Sequence, residues 1–175
     1  SDTGARVTSD EDNTWTYIAA GEITKVTPAA GEGETRVTIE GTSLFGGGDD
    51  IESVSFAGIK AFLISAENSM VVVQTFALPE DQPAGPGDIV ITGNSGVVVR
   101  LPNGWSYSRI QAVSPNIGQR GTIVELSGVS LLAGGSSVES VELLGVPVLE
   151  ILSESDTAIV VVTRDHAVSQ QTVGD

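Results

Sequence analysis

Apolar and polar positions alternate through Thr35–Glu40, with Thr35, Val37 and Ile39 on one side and Arg36, Thr38 and Glu40 on the other. A period of two with charge on one face is the pattern of a half-buried β-strand. Further short segments predict strands at Ile23–Val26, Ile51–Ala57, Ile59–Ile64, Met70–Phe76, Asp88–Thr92, Val97–Leu101 and Trp105–Ser108. Met70–Phe76 opens with four apolar residues in succession and reads as a strand buried on both faces. Between them stand turn formers: Thr27-Pro28, Gly41, Gly46–Asp50, Gly58, Pro79–Gly87 and Gly93–Gly96. Proline removes a backbone donor and forces extension before it, and glycine supplies backbone conformations closed to other residues. Short strands punctuated about every 8–12 residues predict an antiparallel β-sandwich. No window carries a helical period.

The pattern then returns. ITKVTPAAGEGETRVTIEGTSLFGGG from Ile23 is matched by IQAVSPNIGQRGTIVELSGVSLLAGG from Ile110. Val26 maps to Val113, Pro28 to Pro115, Gly31 to Gly118, Thr35 to Thr122, Val37 to Val124 and Gly41 to Gly128, all 87 positions apart. A period of this size is a whole small domain, since solenoid units run to roughly 20–50 residues. Val138–Leu143, Val148–Leu152 and Ala158–Thr163 correspond to the middle strands of the first copy, with one residue inserted after Gly145. Val173-Gly174-Asp175 then matches Pro86-Gly87-Asp88, so the last strands of the copy have no counterpart.

Asn13-Thr14-Trp15-Thr16-Tyr17 resembles Asn103-Gly104-Trp105-Ser106-Tyr107, and each lies a few residues before the Ile that opens a copy. Trp and Tyr two apart share one face of a strand. The expected organisation is therefore a closing strand of a preceding repeat in 1–22, a first repeat in 23–108 and an incomplete second repeat in 109–175. Only Ser108 and Arg109 link the repeats. The class is all-β, two tandem immunoglobulin-like β-sandwiches.

Composition narrows the function. The 175 residues carry a formal charge of −15, distributed over the leader and both repeats. Such a surface favours solubility and repels phosphate backbones and anionic lipid, so nucleic acid is not an expected partner. No apolar run approaches the roughly 18 residues of a membrane helix, and no membrane insertion is expected. With no cysteine, disulfides, thiolate metal sites and thiol catalysis are excluded. No asparagine has Ser or Thr two positions on, which removes N-glycosylation sequons. The sequence has neither an initiator Met nor a signal-peptide pattern and reads as a mature product or an excised fragment.

I-x-x-V-x-P-x-x-G, then T-x-V-x-I-x-G-x-x-L, a glycine loop, V-x-x-x-G, and S-x-x-x-T-x-x-V-V-V at Ser153–Val162 resemble the IPT/TIG family of immunoglobulin-like domains. The closing Trp-Ser-Tyr stands where that family often has an aromatic pair. The resemblance covers Ile23 to the C-terminus and residues 13–17. Receptor members carry cysteines and the DNA-binding members carry basic loops. Both are missing here, so the resemblance implies kinship with tandem arrays of microbial or algal surface proteins.

Candidate chemistry is sparse. His166 is the single histidine, and Asp165 beside it points elsewhere on an extended chain; with no G-x-S-x-G element a catalytic triad is not expected. Gly46–Gly48 and Gly134-Gly135 lack the Gly-Lys-Ser/Thr and the helix that a phosphate loop needs. Asp10-Glu11-Asp12, Asp49-Asp50 with Glu52, and Glu80-Asp81 are weak candidates for a structural calcium and otherwise solvated acidic loops. No other cofactor is expected. Trp15 and Trp105 read as packing residues at the sandwich edge or the joint, with sugar stacking as the alternative.

These readings point to a non-catalytic structural or adhesive module of an extracellular or cell-surface fibre. An incomplete second repeat leaves a sheet edge with unpaired backbone groups. Insertion of the N-terminal strand of the next molecule, through Val7, Trp15 and Tyr17, would cover it and propagate head-to-tail. The partners expected are a second copy or neighbouring repeats of a continuous array. The alternative is an accessory module that binds a glycan or surface protein through exposed aromatics.

Overall fold

The computed structural model describes residues 17–165, and every regular element among them is a strand. No helix is long and apolar enough to cross a membrane. The first unit pairs a four-stranded sheet with a five-stranded one. Strands β1 (Glu22–Thr27), β3 (Arg36–Thr42), β7 (Met70–Gln74) and β6 (Phe62–Glu67) form the first in the order β1-β3-β7-β6. Strands β2 (Ala30–Gly31), β9 (Val98–Tyr107), β8 (Gly85–Gly93), β4 (Ile51–Phe56) and β5 (Ile59–Lys60) form the second in the order β2-β9-β8-β4-β5.

The period-two pattern sets which side chains meet between the sheets. Val37 and Ile39 of β3 and Val71 and Val73 of β7 point inward, opposite Val54 and Phe56 of β4 and Ile89 and Ile91 of β8. All are fully buried or nearly so, and each such side chain contributes roughly 1.5–3 kcal/mol relative to exposure. Val72 is buried as well, so the centre of β7 is covered on both faces, as its apolar run implies. Two segments expected as separate strands, Val97–Leu101 and Trp105–Ser108, are one continuous β9. It runs antiparallel to β8, from Thr92↔Val98 to Gly85↔Tyr107, and a register shift between Gly87 and Ile89 absorbs the intervening polar residues.

The second unit keeps the first sheet. Strands β10 (Arg109–Ser114), β11 (Ile123–Val129), β15 (Ala158–Val162) and β14 (Glu150–Glu154) lie in the order β10-β11-β15-β14. Local geometry is copied. Both opening strands shift register at the same place, between Ile23 and Lys25 and between Ile110 and Ala112. Leu44 and Leu131 each donate 3.0 Å backbone bonds, to the Asn68 and Asp156 carbonyls. A Cβ on Gly41 or Gly128 would overlap the carbonyl oxygen of Glu22 or Arg109, so the opening strand passes closely only over glycine.

Among the described residues the second sheet is not copied. Of the expected strand Val138–Leu143, only Glu142–Leu143 is extended, as β12 in a hairpin with β13 (Val146–Pro147). The first-unit equivalent, β4, is held along its length by β8, from Ile51↔Gly93 to Phe56↔Ile89. Among the described residues no strand offers that partner to Val138–Val141, so their backbone does not form a ladder.

Candidate functional site

The joint between the units is built from short-range bonds. Arg109 Nη2 donates to the carbonyls of Leu78 (3.0 Å) and Pro79 (2.8 Å), and Nη1 to that of Gln82 (2.9 Å). The fork of a guanidinium suits several carbonyls at once, which a lysine ammonium does not. Ser106 and Ser130 hydroxyls lie 2.5 Å apart, and the Ser108 hydroxyl donates to the Ser130 carbonyl at 2.7 Å. Gly134 packs beside Ala30. Arg109 read as bare linker in the sequence; its signal was a cation standing where the first copy has Glu22.

The second feature is the uncovered inner face of the second unit. Ile23 belongs to the first core and is 5% exposed, whereas its counterpart Ile110 is 54% exposed; Ala30 lies outside that core, beside Gly134 of the second unit, and its counterpart Ile117 is 84% exposed. In the first unit β2 pairs with β9 in parallel, Ala30↔Ser106 and Gly31↔Tyr107. The carbonyls of Ala29 and Gly31 accept bonds of 3.0 and 2.7 Å from Ser106 and Ser108. Among the described residues of the second unit nothing bonds the equivalent Asn116 and Gly118 carbonyls. A cleft of about 870 Å³ opens there, lined by Ile110, Val113, Ile117, Leu126, Leu143 and Leu144 among others. Val124 and Leu126, which form a small core with Ile159 and Val161, also line it. Leu144, at φ 52° and fully exposed, stands on the rim in place of Ala57, which in the first unit packs under β8.

Trp105 shows what fills this space in the first unit. It is fully buried within the first core, edge-on to Phe56 (centroids 5.1 Å apart) and to Tyr107 (5.7 Å). That corrects the expectation of an edge or joint position and removes Trp105 as a sugar platform. Its ring lies against Gly31, where a Cβ would come 3.1 Å from Cη2. The indole Nε1 has no hydrogen-bond partner among the described residues. Tyr107 donates its hydroxyl to the Phe76 carbonyl at 3.2 Å, and burial pushes that phenol's pKa up.

Of the residues expected to drive assembly, Val7 and Trp15 lie outside the described residues and Tyr17 is 91% exposed. His166 and Asp10–Asp12 also lie outside them. Asp50 Oδ1 accepts the Ile51 N–H at 2.7 Å and the Asp49 N–H bonds Asn94, so this pair shapes a turn. No three His, Cys, Asp or Glu side chains converge on a metal position among the described residues. The clearest electrostatic site is Asp88: the backbone N–H of Asn103 and then the side chain of Arg100 hold its pKa below the usual carboxylate value.

The IPT/TIG family model matches residues 22–107, the stretch from β1 to the end of β9. Over those residues the chain is similar to an IPT/TIG domain. The match takes in both sheets of the first unit; among the described residues the second unit shows the counterpart of one of them. Solved structures similar to the chain include the plexin A4 full extracellular region, at 22% identity and TM-score 0.45, covering 83% of this chain and 15% of that one. SGBP-B from a Bacteroides ovatus mixed-linkage glucan utilization locus, in complex with a heptasaccharide, is similar at 15% identity and TM-score 0.35, covering 83% and 36%. SGBP-B from a Bacteroides uniformis xyloglucan utilization locus is similar at 17% identity and TM-score 0.35, covering 85% and 44%. The chain spans less than half of each of these proteins. No curated protein matches the sequence.

Proposed function

We propose that this chain is a non-catalytic structural and adhesive module of an extracellular or cell-surface fibre, joined head-to-tail through the open face of its second unit. The observation that carries the reading is the contrast between Ile23 and Ile110: the same place in a repeated fold, covered once and, among the described residues, bare once. Covering the half-exposed Ile110 would contribute on the order of 1–2 kcal/mol. Added backbone bonds to the Asn116 and Gly118 carbonyls contribute about 1 kcal/mol each. The Arg109 clamp supports a stiff unit, as a fibre requires, and the acidic surface opposes lateral bundling. The occupant is the N-terminal strand of the next molecule, with Trp15 and Tyr17 in the places of Trp105 and Tyr107.

Light scattering behind size-exclusion chromatography, over a concentration series, tests this, with electron microscopy of the heaviest fraction. Linear assemblies that vanish when residues 1–17 are deleted are the expected result. A steady monomer near 18.0 kDa at high concentration would defeat the proposal.

A second reading has its own observation. Phe62 and Phe76 are 59% and 53% exposed, and Phe62 pairs with Gln74 two residues before Phe76, which places both along one end of the first sheet. Exposed aromatics on a sheet are what a glycan- or protein-binding accessory module would use. Retardation in gels containing neutral polysaccharide, lost in Phe62→Ala and Phe76→Ala, would favour it over assembly.

A further inference from the structure

The first unit prescribes where a donated strand must sit. Trp105 rests on Gly31 beside Thr35 and against Phe56, and the repeat places Gly118, Thr122 and Leu143 at those positions. Gly118 and Leu143 both line the open cleft. The Tyr107 hydroxyl reaches the Phe76 carbonyl, and Arg164 of the cleft lining occupies the matching place in the second unit. The cleft therefore retains a glycine-floored seat for a large aromatic ring and a place for a tyrosine two residues on.

We infer that the second unit accepts an N-x-W-[ST]-Y strand in one register. The strand runs parallel to Ile117–Gly118, with Thr16 opposite Ile117, Tyr17 opposite Gly118 and the Trp15 ring over Gly118, and its source is a second copy of this chain. This rests on the assembly reading above and specifies its contact. The register follows from Ala30↔Ser106 and Gly31↔Tyr107. A one-residue slip would turn both rings out of the cleft, because side chains alternate faces.

The donor cannot be the same molecule. Thr16 is tethered six residues before Glu22, which begins β1 at the end remote from the joint. Six residues span at most about 22 Å. Gly118 lies beyond Ser114, the end of β10 remote from the joint. Each of these strands runs about 20 Å, and Ile18, two residues after Thr16, packs on Gly47 at the end of the first unit remote from the joint. A head-to-tail contact of this kind repeats without closing and yields a linear polymer.

The chain has no cysteine, which leaves a clean background for cross-linking. Thr16→Cys and Ile117→Cys are made as separate full-length chains, mixed and mildly oxidised. A disulfide-linked dimer is expected from this pair and not from Thr16→Cys mixed with Ser155→Cys, whose serine lies in the β14–β15 turn. Trp15→Ala, which leaves every described residue intact, should weaken association at least about 30-fold, as loss of a central aromatic anchor does. Assemblies that persist while the Thr16–Ile117 bond fails to form, or forms no better than the control, would overturn the register and leave the assembly reading standing. A doubly substituted chain that closes only on itself would overturn the second copy as donor. Absence of any association by the unsubstituted chain would remove both.

Discussion

Replacing Arg109 with methionine keeps the apolar stem and removes the guanidinium that binds the Leu78, Pro79 and Gln82 carbonyls at 2.8–3.0 Å. A hydrogen bond to a charged group is worth about 1.5–3 kcal/mol when its partners are dry. Arg109 is half-buried and the carbonyls near Glu80 and Gln82 face water, so the clamp as a whole is worth about 1–3 kcal/mol. That converts to a rise of roughly 5- to 150-fold in the population with the units undocked. Residual dipolar couplings are the assay. In the unsubstituted chain one alignment tensor should fit amides of β1–β9 and β10–β15 together; in Arg109→Met the two units should need separate tensors, with chemical shifts inside each core unchanged. Arg109→Lys should fall between, since one ammonium cannot span carbonyls spread over five residues. A single tensor of unchanged magnitude in Arg109→Met would refute the argument and leave the Ser106, Ser108 and Ser130 contacts as the determinant of stiffness.

Trp105→Ala should lower the stability of the first unit by about 3–5 kcal/mol, because it empties the centre of a closed core, while urea unfolding followed at β10–β15 should not move. Asp88→Asn tests the pH linkage. The folded-state pKa of Asp88 is depressed, so its contribution is present above the unfolded value near 3.9 and is lost as pH falls through the folded value. The difference in denaturation midpoint between the two proteins should therefore be full near neutrality and close on acidification below pH about 4; a pH-independent difference would refute the linkage. Appending a copy of residues 89–107 after Asp175 should fill the cleft covalently, protect the Val138–Val141 amides from hydrogen exchange and hold the chain monomeric. Continued assembly of that variant would show that the contact lies elsewhere.

Much of the fold was legible in local pattern. Val37 and Ile39 face the core because side chains alternate on a strand. Gly41 and Gly128 mark close strand crossings because no Cβ fits there. The repeat could be read without coordinates because these are short-range requirements, met by the same residues twice. The IPT/TIG resemblance rested on the same positions.

Pairing partners distant in the chain are a different matter. Val138–Leu143 has the pattern of a strand, yet only its last two residues are extended, because a ladder needs a neighbour and β8 has no described counterpart in the second unit. Trp105 read as a residue of the edge or the joint and is fully buried in the first core, a fact set by Phe56 and Gly31, which lie far from it in sequence. Arg109 read as linker and proves to be a clamp, since its acceptors come from a loop about thirty residues earlier. Sequence alone determined most of the strands, the turns and the repeated first sheet, since each depends on the residues in place. Tertiary structure decided which faces are closed and which lie open, because burial belongs to pairs of surfaces and half of the second pair is not among the described residues.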